Sequence, residues 1–355
     1  MAKTLLITGG AGFVGSSLAV WLKARYPDHQ IFALDNLKRR GSELNLSRLK
    51  SSGVNFLHGD IRNYEDLDTL PKIDLIIEAS AEPSVLAGVD GSPDYLINTN
   101  LVGTTNCLKF ALKNRSDLIF LSTSRVYSIE NIEQIAFTET DTRFVINPSQ
   151  TLKGVSENGI DESFSLQGYR SIYGATKLCS ELLIEEYNKF FGLRTVINRC
   201  GVLAGPWQMG KADQGVAVLW MARHFWQGKL DYVGYGGTGK QVRDVLHIED
   251  LCRLVDHQIN NIDKLSGQTF NVGGGKETSL SLLELTALCE KLTGNTIEIG
   301  SEPANRTADI RMYISDNSKV TAATNWKPEL PVYKIMEDIY GWIRDNEGSL
   351  KNILN

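Results

Sequence analysis

Two side chains near the middle of the chain have the types and spacing needed to move a proton. Tyr173 and Lys177 stand four residues apart in a stretch of helical periodicity, so both lie on one face of the predicted helix. A free tyrosine, with a pKa of about 10, is a poor base at neutral pH. A neighbouring ammonium favours the phenolate and lowers that pKa. The pair therefore predicts a general base and acid, Tyr173, tuned by Lys177.

A hydroxyl at a predicted strand end could assist this pair. Ser122 and Thr123 follow the apolar run Leu118–Leu121. Thr123 could donate a hydrogen bond to a reacting oxygen and stabilise the charge that develops there. Without Tyr173 and Lys177 nearby, Thr123 would be interpreted as an ordinary strand-end hydroxyl.

A glycine-rich turn near the start of the chain predicts the partner of this chemistry. An apolar run, Thr4–Ile7, leads into Gly10-x-Gly12-x-x-Gly15, and helical spacing follows over Phe13–Arg25. This order of strand, glycine turn and helix is the dinucleotide fingerprint, in which the backbone approaches a pyrophosphate at the helix start. The residues expected to face the dinucleotide here are Gly9, Gly12, Phe13 and Val14.

Acidic residues after the next two predicted strands indicate which dinucleotide is bound. Asp35 stands 20 residues after Gly15 and could accept hydrogen bonds from both ribose hydroxyls of NAD while repelling a 2′-phosphate. Residues 38–40, Lys-Arg-Arg, could tolerate that phosphate, so NADP is disfavoured but stays open. Asp60 could accept from the adenine amino group with Ile61 covering the ring, or Asp60 could cap the following helix.

Length, charge and cysteine content exclude several other classes. A chain of 355 residues can form one large domain or two lobes. The net charge of −5 argues against a general affinity for nucleic acid. The five cysteines are dispersed and form no CxxC, which predicts reduced thiols, no metal site and a cytoplasmic protein. Met1-Ala2-Lys3 leads directly into the first strand, and no apolar run is long enough to span a bilayer, so neither a signal peptide nor a membrane contact is expected.

Alternation of short apolar runs and helical stretches predicts an α/β protein with a Rossmann-like, doubly wound parallel sheet. The predicted strands are Thr4–Ile7, Ile31–Leu34, Val54–Leu57, Leu75–Ile77, Leu118–Leu121 and Thr195–Asn198. A helix is predicted over Phe13–Arg25, and the clearest helices between the strands are Asn98–Lys113 and Ser171–Phe191. Ligands of such sheets bind beyond the carboxyl ends of the strands.

The remainder of the chain predicts a smaller C-terminal substrate-binding lobe. We expect a dinucleotide-binding domain over residues 1–199, interrupted by a substrate or lid insertion at 127–170, where periodicity disappears. The lobe then covers residues 200–355, with parts of 240–275 returning to the first domain. Its predicted helices include Asp213–Trp226, Leu280–Leu292 and Val332–Asp345.

Together these motifs resemble the extended short-chain dehydrogenase/reductase family of sugar-nucleotide epimerases and dehydratases, over about residues 3–342. The stretches that carry the resemblance are Thr8–Gly15, Asp35-Asn36, Asp60-Ile61, Asn100–Thr104, Ser122-Thr123 and Tyr173–Lys177. The resemblance implies an NAD-dependent enzyme with Thr123, Tyr173 and Lys177 as catalytic residues. It also implies cofactor contacts from Asn36, Ala79, Ala81, Asn100, Ser122, Tyr173 and Lys177.

The resemblance further implies a nucleotide-sugar substrate and a homodimer. Arg243 and Arg306 would hold the diphosphate, with Gln214 and Gln241 as further substrate contacts. Arginines suit this task because their guanidinium groups bind phosphate in a bidentate manner. The helices Asn98–Lys113 and Ser171–Phe191 resemble the helices through which the family dimerises.

The residues after Thr123 indicate which reaction of the family to expect. Dehydratases of the family carry an Asp-Glu pair where this chain has Ser124 and Arg125, whereas a basic residue there resembles the epimerases that act at C2 of CDP-linked deoxyhexoses. The expected reaction is therefore transient oxidation to a ketosugar and return of hydride to the other face. A UDP-hexose 4-epimerase stays the alternative, and a non-catalytic dinucleotide-binding protein is a third. At the end of the fourth strand, Glu78 replaces a histidine of the family.

Overall fold

The computed structural model describes residues 2–89, 91–210 and 214–354. Asp213, the first residue of one predicted helix, lies outside these ranges. The first elements are, in chain order, β1 (Thr4–Thr8), α1 (Phe13–Arg25), β2 (Gln30–Asp35), α2 (Asn45–Ser51), β3 (Asn55–His58), α3 (Tyr64–Asp68), β4 (Leu75–Glu78), α4 (Asp94–Ile97), α5 (Gly103–Asn114) and β5 (Asp117–Thr123). A π-helical turn, Asn98–Val102, joins α4 to α5.

The middle of the chain contains short hairpins and then one long helix. Its elements are α6 (Ile129–Glu133), β6 (Phe137–Glu139), β7 (Phe144–Ile146), β8 (Val155–Ser156), β9 (Gly159–Ile160), α7 (Ile172–Phe191), β10 (Thr195–Cys200), β11 (Val202–Ala204), α8 (Val216–Phe225), β12 (Leu230–Val233) and β13 (Val242–His247). The hairpins β6–β7 and β8–β9 occupy the stretch in which the sequence shows no periodicity.

The last part of the chain is mostly helical. Its elements are α9 (Ile248–Asn260), α10 (Ile262–Leu265), β14 (Gln268–Val272), β15 (Ser279–Ser281), α11 (Leu282–Thr293), β16 (Ile299–Glu302), β17 (Met312–Tyr313), α12 (Ser318–Thr324), α13 (Val332–Asp345) and α14 (Glu347–Leu354). Helix α11 begins with a capping box, in which Ser281 and Glu284 satisfy each other's backbone N–H groups. Among the described residues, no helix is both long and apolar enough to cross a membrane.

The main sheet has seven strands in the order β14-β10-β5-β4-β1-β2-β3. The pairs from β5 through β4 and β1 to β2 and β3 are parallel. This is the doubly wound order of dinucleotide-binding folds, and it confirms the predicted fold class. Apolar side chains of β1, β4 and β5, such as Leu6, Ile76 and Leu118, are buried together with α5 residues in one core.

The chain divides into two compact units. The first comprises residues 1–126, 172–199 and 251–270, and the second comprises residues 127–171, 200–250 and 271–355. The second unit has a sheet in which β13 pairs with β11, β15 and β17. Helices α8, α11 and α13 of that unit pack against one another. Residues 251–270 thus group with the unit that contains the main sheet.

Candidate cofactor and catalytic site

The glycine turn has the close packing that a pyrophosphate-binding turn needs. A Cβ at Gly10 would lie 2.6 Å from Ala33 Cα, and a Cβ at Gly15 would lie 2.2 Å from the Gly9 carbonyl oxygen. Gly9 has a φ of 64°, in the left-handed region. As in any α-helix, the first N–H groups of α1, including those of Phe13 and Val14, have no intrahelical acceptor. The N-cap residue Gly12 has no side chain that could accept from them, so they can face a phosphate.

Asp35 is fixed beside this turn. Its Oδ2 accepts from Ala11 N at 3.0 Å and its Oδ1 accepts from Leu37 N at 2.8 Å. Burial raises the pKa of Asp35, and these backbone hydrogen bonds oppose the rise. A carboxylate held against the glycine turn in this way fits the ribose of NAD and leaves little tolerance for a 2′-phosphate.

Asp60 and Asn36 form a second polar pair at the same edge of the sheet. Asn36 Nδ2 donates to Asp60 Oδ2 at 2.8 Å, and Arg62 Nη2 lies 2.6 Å from the same oxygen. Burial opposes a charge on Asp60, yet the hydrogen bonds from Arg62 and Asn36 lower its pKa to about 2. Helix α3 has Asn63 at its N-cap position, and the Asp60 carboxylate accepts instead from Arg62 and Asn36. Ile61 is buried next to Asp60.

The loop after β4 lies against the glycine turn. A Cβ at Gly9 would lie 2.8 Å from the Ala79 carbonyl oxygen, so Ala79 borders the turn directly. Ala81 is half-buried two residues further on. Asn100, in the π-helical turn, binds this loop: its Oδ1 accepts from Glu82 N at 2.8 Å and its Nδ2 donates to Glu82 O at 3.1 Å. Asn100 Nδ2 also donates to Thr176 Oγ1 at 3.3 Å. The amide of Asn100 therefore connects the loop to α7.

Ser122 and Thr123 close β5 and have different partners. The Ser122 hydroxyl donates to Glu181 of α7, and Glu181 forms a buried ion pair with Arg199, at 2.7 Å. Thr123 Oγ1 accepts from Arg125 N at 3.2 Å. The Ser122 side chain is thus bound within the protein, whereas the Thr123 hydroxyl accepts a hydrogen bond from the backbone of Arg125.

Tyr173 and Lys177 lie in the first and second turns of α7 and are both buried. The Lys177 side chain is only 2% exposed, and its Nζ lies 3.8 Å from the centroid of the Phe120 ring in β5. Thr123 stands three residues after Phe120 on the same strand. Thr123, Tyr173, Lys177, the glycine turn and Asp35 all belong to the first unit.

The four predicted substrate residues belong to the second unit. Arg243 Nη2 donates to Asp309 Oδ1 at 3.0 Å and to Ile310 O at 2.7 Å. The Asp309 N–H donates to the carbonyl of Arg306, an exposed residue, so Asp309 connects the two arginines. Gln241 precedes β13, and its Nε2 donates to Val233 O at 2.7 Å. Gln214 lies two residues before α8.

Sequence reasoning missed several side chains that support this site. Glu181 was not singled out, although it stands one helical turn after Lys177 and forms an ion pair with Arg199. Two further side chains were not singled out. Asp309 is the partner of Arg243, and the centroid of the Tyr95 ring lies 4.7 Å from the Arg62 guanidinium carbon. These contacts join residues that are distant in the sequence, so local spacing could not have indicated them.

Comparison with known proteins agrees with this geometry. The sequence pattern of the NAD dependent epimerase/dehydratase family matches residues 5–273. The chain is 35% identical to the CDP-paratose 2-epimerase of Salmonella typhi, over 95% of this chain and 98% of that protein. It is 27% identical to the UDP-glucose 4-epimerase of Halalkalibacterium halodurans, over 96% of each chain.

The chain is also similar in fold to a solved structure of a sugar-nucleotide enzyme. The dTDP-glucose 4,6-dehydratase DesIV of Streptomyces venezuelae, determined with NAD and TYD bound, is 26% identical with a TM-score of 0.76. The match covers 97% of this chain and 98% of that one. Both the family pattern and the 35% identical relative span most of the chain, and the observed sheet and glycine turn suit NAD. The chain is therefore an NAD-dependent enzyme of the epimerase/dehydratase family, within the extended short-chain dehydrogenase/reductases.

Proposed function

We propose that the chain is a nucleotide-sugar epimerase that inverts C2 of a CDP-linked deoxyhexose, the CDP-paratose and CDP-tyvelose type of reaction. The observation that carries this proposal is the likeness to the Salmonella typhi CDP-paratose 2-epimerase along nearly the whole chain. Two further features support it: the buried pair Tyr173 and Lys177 in α7, and Arg125 where the dehydratases of the family place an acidic residue.

In this proposal the first unit binds NAD and carries out the proton transfer. The glycine turn and the start of α1 hold the pyrophosphate, and Asp35 holds the ribose. When bound, NAD supplies the acceptor for the hydride that leaves a ring carbon and later returns to its opposite face. Tyr173 takes the proton of the sugar hydroxyl and gives it back, Lys177 favours the phenolate, and Thr123 donates to the reacting oxygen.

The second unit binds the nucleotide diphosphate in this proposal. Arg243 is oriented by Asp309 and by backbone carbonyls, so its guanidinium is fixed before a ligand arrives. Arg306, on the same loop as Asp309, supplies a second positive charge. Two arginines suit the two negative charges of a diphosphate in a protein whose net charge is −5. Gln214 and Gln241 are proposed as further substrate contacts.

The competing proposal is a UDP-hexose 4-epimerase, which the likeness to the UDP-glucose 4-epimerase favours. Purified protein incubated side by side with CDP-paratose, CDP-tyvelose, UDP-glucose and UDP-galactose distinguishes the two. We expect the enzyme to interconvert the CDP-linked pair and to show no comparable turnover of the UDP-linked pair. Chromatography and NMR of the sugar ring detect the products. Efficient inversion of UDP-glucose at C4 would replace the C2 assignment with the alternative.

We also propose that the enzyme is a cytoplasmic homodimer. Helix α7 has exposed apolar side chains, among them Leu182, Phe190 and Phe191, and Val102 and Leu112 of the α5 region are exposed as well. The mass of the protein measured by sedimentation should therefore be twice the chain mass of 39.4 kDa. Leu182→Asp should shift the sedimentation coefficient toward the monomer, whereas the same change at the exposed Val89, in the loop after β4, should leave the dimer intact. A monomeric wild-type protein would contradict this proposal.

A further inference from the structure

One buried acid of the first unit has no part in the proposed reaction. Glu78 ends β4 with none of its surface exposed. The Thr104 hydroxyl of α5 donates to Glu78 Oε1 at 2.5 Å. Within the described part of the chain, Glu78 Oε2 has no hydrogen-bond partner. Hydrogen bonds from the Thr104 hydroxyl and the Cys107 thiol are little compensation for a fully buried carboxylate, so an opposite charge should lie nearby.

The sheet register identifies that charge. Glu78 of β4 is directly opposite Phe120 of β5, and the two strands are parallel. Opposite residues of neighbouring strands point to the same face and stand about 5 Å apart. Lys177 Nζ lies 3.8 Å from the centroid of the Phe120 ring. The Glu78 carboxyl and the Lys177 ammonium therefore border the same aromatic ring, each almost completely shielded from water.

Two other ionisable side chains of this region, Cys107 and Glu181, are poorer counter-charges for Lys177 than Glu78. Burial raises the pKa of the Cys107 thiol well above its usual range, so Cys107 is uncharged. Glu181, one turn along α7 from Lys177, is already paired with Arg199 at 2.7 Å. Burial also raises the pKa of Glu78, but the Lys177 charge opposes that rise.

We propose that Glu78 is a positioning residue whose carboxylate is the counter-charge that keeps the buried Lys177 protonated. Glu78 thereby acts on Tyr173 through Lys177, because a neutral lysine would no longer favour the phenolate. This inference rests on the proposed roles of Tyr173 and Lys177 and adds a residue that orients and charges that pair.

The test is a titration of the Tyr173 phenolate that needs no substrate. Ultraviolet absorbance is followed against pH with saturating NAD, and the curve of the matching Tyr173→Phe protein is subtracted to isolate Tyr173. In Glu78→Gln, which keeps the side-chain shape and an acceptor for Thr104, the midpoint of phenolate formation should rise by about one pH unit or more. In a Lys177→Met background, the same change at Glu78 should produce no such rise.

Two controls separate charge from structure. Thr104→Val removes the hydrogen bond but keeps the Glu78 charge. The midpoint of phenolate formation in this variant should therefore differ from the wild-type midpoint by only a small part of the shift caused by Glu78→Gln. Glu78→Met is a second neutral replacement should the glutamine protein not fold, as judged by thermal unfolding. An unchanged or lowered midpoint in folded Glu78→Gln, or an equal rise with and without Lys177, would overturn the inference. Since the titration reports no turnover, a failure of the proposed epimerase activity would be recognised separately.

Discussion

Tyr173→Phe is expected to lower turnover by about a thousandfold or more while the protein still binds NAD. The change removes one oxygen from a buried side chain in the first turn of α7 and keeps the ring that packs there. Under the proposed mechanism, removing the phenol removes the side chain that takes the proton from the sugar hydroxyl, so oxidation of the ring carbon loses its general base. Steady-state turnover, together with NAD content of the purified protein, measures both effects.

The matched control is Tyr187→Phe, the same substitution on the same helix. The Tyr187 ring packs against Phe191 and the core of the first unit. It should keep turnover and NAD content close to those of the wild type. If Tyr173→Phe retained near-normal turnover under these conditions, Tyr173 would not be the base.

Gly15→Ala should remove most of the NAD affinity. A Cβ at this position would lie 2.2 Å from the Gly9 carbonyl oxygen and 2.9 Å from Gly10 Cα, so the backbone of the turn must move. Forcing one extra carbon into such packing typically costs about 1–3 kcal/mol. The strain falls on the turn that binds the pyrophosphate, so NAD affinity should fall at least about tenfold, measured by calorimetry.

Gly341→Ala is the control for this substitution. Gly341 lies inside α13, and a Cβ there would meet no atom within 4 Å. Alanine in a helix interior should raise the free energy of unfolding by about 0.5–1 kcal/mol and leave NAD affinity unchanged. Equal losses of NAD affinity in both proteins, or normal affinity in Gly15→Ala, would contradict the assigned role of the turn.

Local sequence patterns were sufficient for the elements that place the cofactor. The helices Phe13–Arg25 and Val332–Asp345 occur at the predicted bounds, because a glycine turn or a proline marks where each begins. The six predicted strands of the main sheet are present with small changes at their ends, since buried parallel strands are short, continuous apolar runs. The seventh, Gln268–Val272, was missed because its few apolar residues merge into a glycine-rich stretch.

Features that depend on distant contacts could not be predicted. The insertion after β5 contains two hairpins. Arg143, in the β6–β7 hairpin, binds Glu284, which is 141 residues away in the sequence. The π-helical turn Asn98–Val102 occupies the first five residues of the predicted helix Asn98–Lys113, and it positions Asn100 to contact Glu82 and Thr176. The Ser122–Glu181–Arg199 network and the Glu78–Phe120 register likewise arise from the packing of separate strands and helices.

In the proposed reaction, the hydrogen at the inverted carbon leaves and returns without exchanging with water. The direct measurement uses CDP-paratose carrying deuterium at C2, incubated with the enzyme in ordinary water until both epimers are present. NMR and mass spectrometry of the recovered sugars should find the deuterium retained at C2 in both epimers. Loss of the label to solvent, at the rate of epimerisation, would show that a base abstracts this hydrogen as a proton and would contradict the account.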